Sequence, residues 1–180
     1  MHSEIEKTKQ WLEQIVIGHN FCPFAKPEYD SGQVNFVLSD TVKIEDALEA
    51  LIRACEQLDE KAEIETTLIV YANLCKDFEA FLDFVELANR LLEMQGYEGV
   101  YQLANFHPDY CFEGEPENDA ANYTNRSPYP MLHLIREHSL EKALSSYPQP
   151  EQIPRNNIRL AREKGFEYFK SILNNIKKSE

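Results

Sequence analysis

One stretch of this chain, Tyr101 to Glu137, collects most of the side chains suited to acid–base or anion-binding chemistry. It reads YQLANFHPDYCFEGEPENDAANYTNRSPYPMLHLIRE. His107 ends an apolar, strand-like piece. Asn125, Arg126 and Ser127 lie in a long polar loop, and His133, Arg136 and Glu137 sit on or beside a second apolar piece. Loops carried between rigid elements are a usual home for binding groups. Histidine titrates near neutral pH and serves as acid, base or ligand. Arginine's planar fork reads carboxylate or phosphate with two parallel hydrogen bonds. Arg126 with Asn125 and Ser127 would therefore form an anion clamp, helped by Arg136, with Glu137 orienting His133 or Arg136. The plainer alternative pairs Arg126 with the acidic loop before it and Arg136 with Glu137.

A second group lies near the start, in HNFCPFAKP. Cys22 reads either as a nucleophilic thiol or as a buried one. A nucleophilic cysteine needs a base or cation nearby, and His19, His107 and His133 are the candidates. His107 and His133 also read as satisfied structural histidines, His133 because it stands among Leu132, Leu134, Met131 and Ile135. His19 with Cys22 and His107 with Cys111 would offer zinc two nitrogens and two sulfurs. A three-ligand set of His19 or Cys22 with His107 and His133 can be written equally. No Walker loop, GxGxxG, HExxH or GxSxG occurs, so nucleotide cradles and the common hydrolase motifs find no support. No cofactor is indicated.

Regular elements must position these groups. Ser3 and Glu6 form a capping box ahead of Ile5, Leu12, Ile15 and Val16, with Gly18 as the stop. Pro23 and Pro27 predict an extended segment. Val34, Phe36 and Leu38 predict a strand. Ile44, Ala47, Leu48, Leu51, Cys55 and Leu58 fall on one helical stripe, which makes Cys55 a core residue. TTLIVY at 66–71 predicts a buried strand. Asp77 caps a helix that Gly96 ends, and Cys75 just before it reads as structural. Val100–Phe106 predicts a third strand, stopped by Pro108. Met131–Ile135 predicts a fourth, although LHLI also suits a helix start. A short helix from Ser139 and a last one from Pro154 follow. Gly165 falls inside that last helix, where it costs about 1 kcal/mol against alanine and close packing would be its reason. Helices alternating with strands predict a single α/β (or α+β) domain over 1–180, with a small mixed sheet of about four strands flanked by helices.

The bulk numbers exclude some functions. The chain has 180 residues, 43% of them hydrophobic, enough for one domain with a sizeable core. A net charge of −13 argues against wide nucleic-acid surfaces and against docking on anionic membrane. Residues 155–180 run against this trend, with seven basic and three acidic side chains. Their simplest reading is a basic helix face beside an acidic body. The alternative is a non-catalytic interaction protein that docks a partner through Arg159, Arg162 and Lys170. No apolar run is long enough to span a bilayer, and MHSEIEKTKQ lacks the features of a secretion signal. The expected setting is cytoplasmic and reducing, where four cysteines need no disulfides.

Several strings carry a family resemblance: HNFCPFA at 19–25, TTLIVY, FHPDY at 106–110, NYTNRSPYPMLHLIRE at 122–137 and IPRNNI at 153–158. Together they resemble the family catalogued as domain of unknown function 1415, over nearly the whole chain. The resemblance implies a bacterial-type cytosolic single-domain protein and no particular activity. Its pattern features Cys22, Pro23, His107, Pro108, Asn125, Arg126, Ser127, His133, Arg136 and Glu137, and omits Cys111. The leading expectation is an enzyme that holds a small anionic molecule with Arg126, Asn125, Ser127, Arg136 and Glu137 and acts on it through Cys22, His107 and His133. The alternatives are a metal-binding protein using zinc or iron, and the interaction protein described above.

Overall fold

The computed structural model describes residues 3–179. Its centre is a four-stranded mixed sheet of β1 (Val34–Ser39), β2 (Thr66–Tyr71), β3 (Tyr101–Phe106) and β4 (Met131–Arg136), ordered β1-β2-β4-β3. β1 and β2 run parallel, so the chain must cross over between them. It does so through α3 (Ile44–Glu60). β4 is antiparallel to both β2 and β3. The piece from Met131 is thus a strand, and helix α5 (Glu137–Ser146) begins where it ends.

Two cores lie on the two faces of the sheet. α3 and α4 (Phe78–Met94) cover one face, packing Leu51, Leu58, Phe81 and Phe84 against Ile69, Tyr71, Leu132 and Leu134. The opposite face carries Leu68, Val70 and Met131 against α1 (Ser3–Trp11), a π-helical continuation over Leu12–Ile17, and the last two helices, α6 (Ile153–Lys164) and α7 (Phe166–Lys178). β2 lies between both layers, which explains its unbroken apolar run. Cys55 is fully buried in the first core, as its stripe requires. Burial, with the charges of Asp59 and Glu56, pushes its thiol up to about 12. Asp77 caps α4 by accepting a hydrogen bond from the Ala80 amide at 3.0 Å.

The structure corrects several local expectations. Residues after Pro23 are not extended, because α2 (Ala25–Asp30) forms there. Pro27 sits in its first turn, where no intrahelical N–H is required. Gly18 does not use a positive φ (its φ is −59°). A Cβ there would stand 2.5 Å from the Gln14 carbonyl oxygen, so close approach requires the glycine. Gly165 does not lie within one long helix. It separates α6 from α7 at φ +92°, and a Cβ at this position would meet nothing within 4 Å, so the glycine serves conformation and not packing. The loop at 108–128 is built around a 3₁₀ turn, Ala120–Thr124. Asn122 at its heart is fully buried. Its carbonyl oxygen accepts from the Phe112 amide at 3.0 Å, and its amide donates to the Pro116 carbonyl at 3.0 Å.

Candidate functional site

The expected site residues separate into two places. At the first, His107 is fully buried between Phe78 and Phe81, with ring centroids 5.2 and 5.0 Å away. Its Nδ1 accepts from the Asp109 amide at 3.0 Å, so Nε2 carries the proton and donates to the Cys75 carbonyl at 2.9 Å. Burial lowers its pKa. Both nitrogens are engaged, leaving none for a ligand. The His107 amide donates to Asn125 O, and the Ser127 amide donates to His107 O at 3.4 Å. Ser127 is fully buried, and its hydroxyl donates to Tyr129 O at 2.6 Å. This cluster fastens the 73–77, 107–110 and 125–129 segments together.

The arginines are turned to the backbone. Arg126 donates from Nε to Tyr110 O at 2.9 Å and from Nη2 to Glu117 O at 2.8 Å, over the Tyr123 ring at 5.1 Å. A groove of about 1200 Å³ passes beside it, walled by Asp77, Glu79, Asp109, Glu113, Glu115 and Glu117. Carboxylates on that wall repel an anion. Arg136 donates to the carbonyls of Ile64 at 3.0 Å, Lys61 at 3.1 Å and Leu58. It therefore closes the C-terminal end of α3, where carbonyls lack helical partners. Its acidic neighbour is Glu65 at 4.0 Å, and not Glu137, whose amide donates to Val100 O.

Cys22 and His133 come together at the second place. Both line a cavity of about 120 Å³ on the α1–α7 side of the sheet. β2 and β4 form its floor with Thr66, Leu68, His133 and Ile135. The 22–28 segment forms one wall, and Leu140 and Ala143 of α5 form another. The Thr66 hydroxyl is 2.5 Å from both the Leu134 carbonyl and Nε2 of His133. A carbonyl can only accept, so the single hydroxyl proton goes to Leu134 O and His133 must donate from Nε2. Nδ1 then carries the lone pair, and among the described residues it has no hydrogen-bond partner. Burial lowers this imidazole's pKa to about 4. Burial likewise raises the Cys22 thiol, opposed by hydrogen bonds from the Phe24 and Ala25 amides. Both groups therefore rest uncharged at neutral pH.

Cys22 also borders a second cavity, of about 340 Å³, with Asn125, Phe106, Phe112 and Asn157. Asn125 uses its amide on Asn105 O at 3.4 Å, and its side-chain oxygen accepts from Thr124. The thiol thus stands between a pocket carrying an imidazole and one carrying an amide.

Other expected groups lie apart. His19 contacts Ile15 O and the Tyr168 hydroxyl and packs on Phe169. Cys111 lies with Asn122 in the 108–128 loop. Among the described residues, no three His, Cys, Asp or Glu are grouped to hold a metal. Arg162 of the basic tail is paired with Asp119 at 2.7 Å and Glu115 at 3.1 Å, Arg159 with Glu163, and Lys170 with Glu167. No described helix is long and apolar enough to cross a membrane.

Sequence reasoning missed Thr66, Glu65, Glu28 and Asn122. Thr66 left a signal, as a polar residue opening an apolar strand. Glu28 follows Ala25 by one turn of α2 and lines the same cavity, which became visible only once α2 replaced the extended segment. No curated protein and no solved structure matches the chain. The family model described as "Protein of unknown function (DUF1415)" matches residues 3–171. With its fold continuous over that span and its distinguishing strings inside it, this chain belongs to the DUF1415 family.

Proposed function

We propose that the chain is an enzyme acting on a small, largely apolar acyl compound through a covalent intermediate on Cys22. One observation carries the reading: of the candidate residues, Cys22 alone borders both cavities, with His133 on one and Asn125 on the other. The thiol proton passes to Nδ1 of His133 as sulfur bonds to the acyl carbon. The leaving group departs with that proton, and water then cleaves the thioester and restores the thiol. Asn125 offers an amide N–H to the oxygen on which charge develops. Proton transfer in the empty pocket is uphill, since a burial-raised thiol must give its proton to an imidazole whose pKa is about 4. The thiol is therefore dormant until an acyl group is in place. Cavity size sets the scale. Drug-sized ligands take roughly 300–1,000 Å³, so about 120 Å³ suits a short chain. An anionic substrate fits less well, because Glu28 and Glu65 line the same pocket while Arg126 and Arg136 are engaged elsewhere.

The test uses p-nitrophenyl acetate, butyrate and octanoate, with intact-mass analysis and peptide mapping. The short esters should acylate Cys22 faster than octanoate. Cys22→Ser should abolish the adduct, and His133→Gln should slow it by roughly 100-fold, the lower range for removing a general base. Acylation of Cys75 or Cys111 with none on Cys22, or no adduct at all, overturns the proposal.

A further inference from the structure

Cys22 borders two cavities of unequal size. The one beside His133 holds about 120 Å³, and the one beside Asn125 about 340 Å³. A compound attacked at its carbonyl carbon divides there into an acyl part and a departing part. The smaller cavity takes the first, which leaves the larger for the second. That larger volume lies in the range of drug-sized sites and well above an engineered cavity of about 150 Å³ that accommodates benzene.

The larger cavity is lined by separated aromatic rings and by no charge. Phe21 reaches it from the residue before Cys22, Phe106 from the end of β3 and Phe112 from the 108–128 loop. Each ring has its ring partner elsewhere: Phe106 meets Trp11 at 5.0 Å, Phe112 meets Tyr110 at 5.0 Å, and Phe21 meets Phe169 at 5.7 Å. Among the described residues, none of the three stacks on another. Ring pairs gain from offset or edge-to-face contact beyond the area they bury, so a ring placed in this space makes contacts that the protein's own rings do not make with one another. No Asp, Glu, Lys or Arg among the described residues lines the cavity. Its polar side chains are partly committed, since Asn157 donates to Phe21 O at 2.6 Å and the Thr124 hydroxyl donates to Ala121 O at 2.8 Å. An uncharged aromatic group fits this lining, and a phosphate or carboxylate does not.

Building on the acyl-enzyme reading, we infer that the substrate is the ester of a short acid with a neutral aromatic alcohol, whose ring lies among Phe21, Phe106 and Phe112. Sulfur of Cys22 bonds to the carbonyl carbon, and the bond from that carbon to the aryl oxygen breaks. The proton taken up by His133 passes to the departing oxygen, which leaves as a phenol. Water then releases the short acid and restores the thiol.

The experiment measures protection of Cys22 from iodoacetamide by phenol and by cyclohexanol, at one pH, with peptide mapping. Alkylation reads occupancy whether or not acyl chemistry occurs. Phenol should half-protect at a concentration roughly fivefold below that of cyclohexanol, as one or two ring contacts would give. Ile158→Trp, which fills the larger cavity, should remove protection by phenol, whereas Ala143→Leu, which fills the smaller one, should leave it. Phe112→Leu should bring phenol to the level of cyclohexanol, which keeps the test open if Ile158→Trp fails to fold. Equal protection by the two probes in the wild type, or protection lost in Ala143→Leu and kept in Ile158→Trp, overturns the ring site. If p-nitrophenyl acetate acylates Cys22 and phenol gives no protection, the acyl-enzyme reading stands and the ring site falls. If phenol protects as expected and no ester acylates Cys22, the ring site stands and both the acyl-enzyme reading and the departing-group role fall.

Discussion

The His107 cluster and the Cys22–His133 cavity each centre on a histidine and differ in what they leave unspent. Around His107 the polar atoms are consumed internally. Two imidazole nitrogens, the Ser127 hydroxyl and the Arg126 Nε all end on backbone partners. Around His133 the partners stop short, because Thr66 takes Nε2 and Nδ1 has no partner among the described residues. A polar residue in a distinctive string is therefore not by itself a site residue. The distinction lies in whether its donors and acceptors are satisfied before a ligand arrives. Buried polar groups that are satisfied fasten a structure, and those left over beside a cavity are available for chemistry.

The most forceful way to break this comparison is His107→Ala. It leaves the Asp109 amide and Cys75 carbonyl without partners and a void between Phe78 and Phe81. The expected loss is about 3–5 kcal/mol of stability, measured by urea denaturation. If stability is unchanged while acylation of Cys22 disappears, His107 belongs with the chemistry and the division made above collapses.

Acid should probe the other histidine. An unfolded histidine titrates near 6.5, while folded His133 does so at about 4. Between these values the unfolded chain binds the extra proton. Stability contributed by this difference is complete above pH 6.5 and is lost as pH falls through 4, by about 3 kcal/mol. His133→Gln keeps an N–H donor for Thr66 and removes the titration. The wild type's unfolding free energy should fall by about 3 kcal/mol relative to the variant's between pH 7 and pH 4, measured as the change in the difference between their unfolding curves. Parallel curves would mean that His133 is not held neutral by burial.

Much of the fold was legible because local patterns and global packing agree. The stripe through Ala47, Leu51, Cys55 and Leu58 forms α3, Asp77 caps α4, and TTLIVY is the buried central strand. Misreadings arose where one residue type serves two conformations. Pro27 suits an extended segment or a first helical turn, and Gly165 interrupts an apolar pattern that continues on both sides. The site was legible as a set of residues and not as an arrangement. Cys22 and His133 line one cavity because the register sets His133 opposite Leu68, on the sheet face that the 22–28 segment covers. The fates of Arg126 and Arg136 were hidden because their acceptors are carbonyl oxygens, which every residue possesses.

Cys22→Ser should have the smallest effect on stability and the sharpest effect on chemistry. Replacing sulfur by oxygen at this half-buried position changes little volume, and the Ala25 amide's hydrogen bond to the Cys22 backbone carbonyl at 3.2 Å is untouched by the substitution. The expected cost is below about 1 kcal/mol. A serine hydroxyl is a far weaker nucleophile than a thiol with so little help from its base, so acylation should fall to background. Small stability change with complete loss of acylation is the reverse of the pattern expected for His107→Ala, and the two variants together separate fastening from chemistry. A large stability loss in Cys22→Ser would place the thiol with the satisfied groups, as a core atom that merely borders two cavities.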